Sequence, residues 1–90
     1  MIQIEHLPER GRFQARVDGQ LCVADYRRHG ERMEMTHTEV PPALAGRGIA
    51  AKLVRAALDH ARGSGLKVLP LCSYVRVYMR RHPDTQDLLA

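Results

Sequence analysis

His37-Thr-Glu-Val-Pro-Pro-Ala-Leu-Ala-Gly-Arg-Gly-Ile-Ala-Ala-Lys-Leu-Val-Arg-Ala-Ala-Leu58 takes the chain from one hydrophobic period into another. Its first residues continue a strand-like alternation, and Pro41 and Pro42 stop it, because proline cannot donate to a ladder and restricts the residue before it. After Gly46-Arg47-Gly48, apolar side chains recur at Ile49, Leu53, Val54, Ala57, Leu58 and Ala61, with Lys52, Arg55, Asp59 and Arg62 between them. That spacing predicts one buried face of a helix. A glycine-rich turn opening a helix presents unpaired N–H groups and the positive end of the helix dipole, a receptor for phosphate.

Upstream, Ile2 and Ile4 alternate with Gln3 and Glu5 in a short, edge-type strand that runs to Leu7 and is ended by Pro8 and Gly11. Phe13, Ala15 and Val17 form the inner side of a second strand. Asp18-Gly19 supplies a tight hairpin turn into a third, from about Leu21 to Arg28. His29-Gly30-Glu31 turns again into Met33, Met35 and His37, whose odd numbering places His37 on the methionine face.

Downstream, Gly63-Ser64-Gly65 closes the helix. Leu66 to Cys72 is a short apolar run, the pattern of a strand buried on both faces and parallel to the strand before the helix. Ser73 is the expected N-cap of a second helix, Tyr74 to His82, stopped by Pro83. The order predicts one domain, residues 1–90, of α+β class: a mixed, mostly antiparallel sheet of about five strands with two helices.

Composition narrows the function. With 90 residues and 44% apolar content the chain holds one core. A net charge of +4 favours an anionic partner. The basic residues are dispersed, and three tyrosines and one phenylalanine offer few stacking platforms, which argues against nucleic acid. Cys22 and Cys72 lack metal or redox spacing, and Met1-Ile2-Gln3-Ile4-Glu5 is unlike a leader, so two free thiols in a reduced cytoplasmic setting are expected. No apolar run approaches membrane-spanning length.

Gly46-Arg47-Gly48-Ile49-Ala50 resembles the acetyl-CoA-binding loop of the GNAT superfamily of N-acetyltransferases, Gln/Arg-x-x-Gly-x-Gly/Ala, with Gly48 and Ala50 at its last two fixed positions and Ala45 where Gln or Arg is usual. Thr36-His37-Thr38-Glu39-Val40-Pro41 before it, and Pro70-Leu71-Cys72-Ser73-Tyr74-Val75 with Tyr78 and Arg81-His82-Pro83 after it, resemble the minimal single-domain GNAT-like proteins. The resemblance spans Phe13 to Leu89.

It implies a role for each part. The backbone of Gly46, Arg47, Gly48, Ile49 and Ala50 would cradle the CoA diphosphate, Arg47 adding charge. Thr38, Glu39 and Val40 would pair with the pantetheine arm as an added strand would. Cys72, at the end of the last strand, would lie near the thioester as nucleophile or base, or else be a buried small hydrophobe. His37 is the candidate general base, or a hydrogen-bonded core residue. Glu39 would relay a proton or pair with Arg47. Tyr78, one turn from Tyr74, is the candidate acid for the departing thiolate, and Arg76, Arg80 and Arg81 would reach the ribose phosphate or simply face solvent. Cys22, His6, His29 and His60 show no ligand spacing for a metal and read as structural or exposed.

The expected activity is acetyl-CoA-dependent N-acetyl transfer to a primary amine of a small molecule or protein, by a monomer or homodimer. The alternative is a CoA-binding regulatory or adaptor module without turnover.

Overall fold

A computed structural model describes residues 2–90. Five strands form one sheet in the order β1 (Glu5–Leu7), β2 (Arg12–Val17), β3 (Gln20–His29), β4 (Arg32–Glu39) and β5 (Lys67–Pro70), with β1 to β4 antiparallel and β5 parallel to β4. Two α-helices, α1 (Ile49–Gly63) and α2 (Ser73–Arg81), pack with it into one core. Short 3-10 turns occupy Pro8–Arg10, Pro42–Leu44 and Pro83–Leu88. The architecture is the α+β sheet expected. The first strand is shorter than its alternation predicts; Ile2 and Ile4 precede it and pack partly against the core.

Local chemistry accounts for the joints. Asp18 and Gly19 both have positive φ, 52° and 76°, the turn whose twist matches a two-residue hairpin. Gly11 has φ 63°, its carbonyl accepts the Tyr26 N–H at 2.8 Å, and a Cβ there would overlap the Tyr26 carbonyl oxygen. Gly11→Ala therefore combines left-handed strain with a backbone clash and should cost about 3 kcal/mol. A urea melt showing no loss would contradict this.

The core is built on one sheet face by Phe13, Ala15, Cys22, Ala24, Tyr26, Met33, Met35 and Val68, and all six apolar positions read along α1 are buried against it. Arg12, Gln14, Arg16, Asp25 and Glu34 occupy the other face. Two expectations need correction. β5 is an edge strand with Lys67 exposed, not a strand buried on both faces; the tail covers its edge through the Ala90 N–H to the Val68 carbonyl at 2.9 Å. Cys72, not Ser73, is the N-cap of α2.

The tail is tied to α1 by ions. Arg62 binds Asp87 through both terminal nitrogens, at 2.8 and 2.9 Å, and Arg55 meets Asp84 at 2.8 Å. Both aspartates are held below the usual carboxylate range, first by these arginine hydrogen bonds. The pairs are open to solvent, so they serve register more than stability.

Candidate functional site

β4 and β5 run together only from Arg32 and Lys67 to Met35 and Pro70. The Met35 carbonyl closes the ladder by accepting the N–H of both Leu71 at 3.0 Å and Cys72 at 2.9 Å. At the next residue β4 bulges: Tyr26 opposes Met35, but Asp25 opposes His37, leaving Thr36 extra. A bulge bends and twists its strand, so β4 turns away where its pairing with β5 stops. From Thr36 to Glu39 it pairs with β3 alone, and its other edge walls an open gap.

Past Val40, the Pro42–Leu44 turn, anchored by the buried Leu44 side chain, swings the chain into α1. Gly46 and Gly48 have φ of 84° and 75°, and Gly48 is the N-cap. The N–H groups of Gly46, Arg47, Gly48, Ile49, Ala50 and Ala51 have no acceptor among the described residues; the helix ladder begins with Lys52 bonding to the Gly48 carbonyl at 3.2 Å. A Cβ on Gly46 or Gly48 would meet no atom of the chain within 4 Å. The space belongs to a cavity of about 340 Å³ whose walls include Val40, Leu44, Ala50 and Tyr74. These unpaired donors sit at the N-terminus of α1, where the helix dipole favours an anion.

At the closed end of the gap, the half-buried Cys72 thiol faces the Thr38 hydroxyl, 3.7 Å from Sγ to Oγ1. Burial alone would raise its pKa, but the Val75 N–H, the Thr38 hydroxyl and the Tyr74 N–H outweigh it, and the thiol lies below its ordinary value. Cys22 is fully buried, and burial pushes its thiol up. The two cysteines thus differ in kind: one is packed with its pKa raised, the other half-buried with its pKa lowered.

The bulge overturns one expectation about His37. Alternation put it in line with Met33 and Met35, but the extra residue reverses the phase, and its side chain is 55% exposed on the face away from the core. It sits beside Glu39, Nε2 to Oε1 3.1 Å, while Thr38 faces Cys72. Glu39 therefore partners His37, and Arg47 pairs instead with Asp18 of the β2–β3 turn at 2.9 Å. The His37 and Cys72 side chains address the gap from opposite sheet faces.

Tyr78 is buried, its ring stacked on His82 with centroids 3.9 Å apart, and its hydroxyl accepts the Arg55 Nε–H at 2.9 Å. Tyr74, two residues after Cys72, is the tyrosine that lines the cavity with Gly48 and Ala50. Sequence spacing shows both on one helix side but not this division, because Arg55 arrives from α1. Arg76 turns back toward the Pro70 carbonyl at 3.4 Å, and Arg81 borders a smaller cavity between Ala51, Tyr74 and Tyr78. Among the described residues no group of three His, Cys, Asp or Glu could hold a metal, and no helix is long and apolar enough to cross a membrane.

The model of the GCN5-related N-acetyl-transferase family matches residues 12–88. The chain belongs to this family. Protein NATD1 from Gallus gallus is 40% identical over 97% of this chain and 82% of its own length; the Homo sapiens protein of the same name is 39% identical over 97% and 80%. The solution structure of a GCN5-like protein from Staphylococcus aureus superposes with a TM-score of 0.79 at 26% identity, covering 98% of this chain and 87% of the other. The mixed α+β fold of that structure is thus present across nearly the whole chain.

Proposed function

We propose that the chain is an acetyl-CoA-dependent N-acetyltransferase that transfers acetyl to a primary amine. One observation carries this reading: the stretch of β4 left without a β5 partner meets a thiol of lowered pKa at Thr38 and, at Val40, the cavity beside an unpaired run of N–H donors. Between them, Met35 to Val40 supplies about 16 Å of extended strand. The residues fit the cofactor. The donors from Gly46 to Ala51 would hold a diphosphate by backbone alone, which makes the alanine at position 45 tolerable. The free edge at Thr38, Glu39 and Val40 would pair with amide groups of an extended arm, and Arg47, already matched by Asp18, adds less charge than a free arginine would.

When bound, acetyl-CoA supplies an activated acyl group at the closed end of the gap. Cys72 is the protein nucleophile placed there. Its thiolate would attack the acyl carbon, forming an acetyl-cysteine thioester and releasing CoA thiolate; the amine would then attack that thioester and return the thiol. In direct transfer, the amine attacks first and Cys72 takes its proton. His37, steadied by Glu39, would deprotonate an ammonium arriving across the open sheet face. Tyr74, beside the cradle and close in sequence to Cys72, is better placed than the Arg55-bound Tyr78 to protonate departing thiolate.

The test is release of CoA from acetyl-CoA against a panel of primary amines. Release with an acetylated product supports the assignment; tight binding with no release would favour the non-catalytic module. If His37 is the base, His37→Gln should lower the rate roughly 100-fold while leaving acetyl-CoA affinity near that of the parent. An unchanged rate in the variant would move the role elsewhere.

A further inference from the structure

A cavity of about 770 Å³ lies apart from the proposed CoA groove and shares no lining residue with the cavity beside Gly48. It lies between the Pro8–Arg10 turn, β3 and the end of α1. His60, on its wall, is twelve residues along α1 from Gly48, about 18 Å by helix rise.

Its floor is ordered by stacking. The His6 ring lies flat on Phe13, centroids 4.0 Å apart at 3°, and meets His60 edge-on at 4.4 Å. His6 Nε2 is 2.6 Å from the Tyr26 hydroxyl. Burial, then His60, lowers the His6 pKa, and burial raises that of the Tyr26 phenol. His6 Nδ1 has no hydrogen-bond partner among the described residues and is left for a ligand, as a donor in the tautomer whose Nε2 accepts from the Tyr26 hydroxyl.

The rim is cationic. Arg10 has no carboxylate partner among the described residues, and Arg28 spends only Nε, on the Gly30 carbonyl at 3.1 Å. Arg27 meets Glu34 loosely at 3.5 Å. Against these three arginines the lining offers one acid, Glu9. Gly11 brings the turn against Tyr26 and fixes this grouping. Guanidinium forks beside imidazole donors suit a tetrahedral dianion, and the volume suits a small molecule.

We propose that this cavity is a second anion site, for a small metabolite bearing a phosphate monoester, gripped by Arg10 and Arg28 over the His6–Tyr26–His60 floor. The experiment follows the imidazole and backbone amide resonances of the full chain during titration with inorganic phosphate and with glycerol 3-phosphate, against chloride at matched ionic strength. Gly48→Glu serves as the background, so that phosphate in the proposed diphosphate cradle is not mistaken for this site. The expected result is saturable movement of His6 and His60 signals with both phosphates and not with chloride, tighter for the ester. An Arg10→Gln, Arg28→Gln variant, confirmed folded by its unchanged amide spectrum elsewhere, should weaken it about 10-fold or more. Movement identical in chloride, or unaltered in the double variant, would overturn the proposal. Failure here leaves the CoA groove untouched, since none of its residues is involved.

Discussion

Gly48→Glu should abolish binding of CoA and acetyl-CoA, lowering affinity by roughly 100-fold or more. Two effects combine. Position 48 has φ 75°, where any side chain is strained, and the strain falls on the N-cap that aims the first N–H groups of α1. The new carboxylate would also stand where the diphosphate is expected and compete for the same donors. Since a Cβ at 48 meets nothing in the protein within 4 Å, the loss cannot come from crowding within the fold. Gly48→Ala isolates strain from charge and should bind with intermediate affinity. Calorimetry showing wild-type affinity in Gly48→Glu would remove the phosphate site from this loop.

Cys72→Ser should cut turnover roughly 100-fold while leaving CoA affinity within a few-fold of the parent. A serine hydroxyl nearly preserves size and the contact with Thr38 but stays protonated, whereas the surrounding N–H and hydroxyl groups bring the thiol's pKa below its ordinary value. The sign follows: a role for thiolate makes the rate rise with pH through the thiol's pKa, below its ordinary 9.0, and the serine variant loses that rise. Steady-state kinetics with and without the substitution, alongside acetyl-CoA calorimetry, separates chemistry from binding. Equal loss of both would make Cys72 a packing residue.

What could be read from the chain alone depended on how local the cause was. The buried face of α1 was legible because 3.6-residue periodicity is a property of the helix itself. The Asp18-Gly19 turn and the glycine loop were legible because positive φ selects residue type. The phase of His37 was not, since one unpaired residue at Thr36 reverses every side chain after it and no residue type marks the bulge. Nor was the Arg55 hold on Tyr78, a contact between residues 23 apart in sequence. Leu66 to Cys72 reads as buried on both faces because it is apolar, yet β5 is an edge strand with Lys67 exposed, and the contact that covers its outer side comes from the distant Ala90. The Cys72 cap was displaced by one residue because its carbonyl, not that of Ser73, accepts the first helical N–H, from Arg76 at 3.1 Å.

If acetyl-CoA lies between the Gly46–Ala51 donors and the Cys72 thiol, a crystal structure of the chain with acetyl-CoA measures both ends at once. Diphosphate oxygens are expected within hydrogen-bond distance of those N–H groups, with the arm along Thr38 to Val40 and the thioester carbon in contact with Cys72 Sγ. A diphosphate bound elsewhere, or a thioester pointing away from Cys72, would contradict this placement.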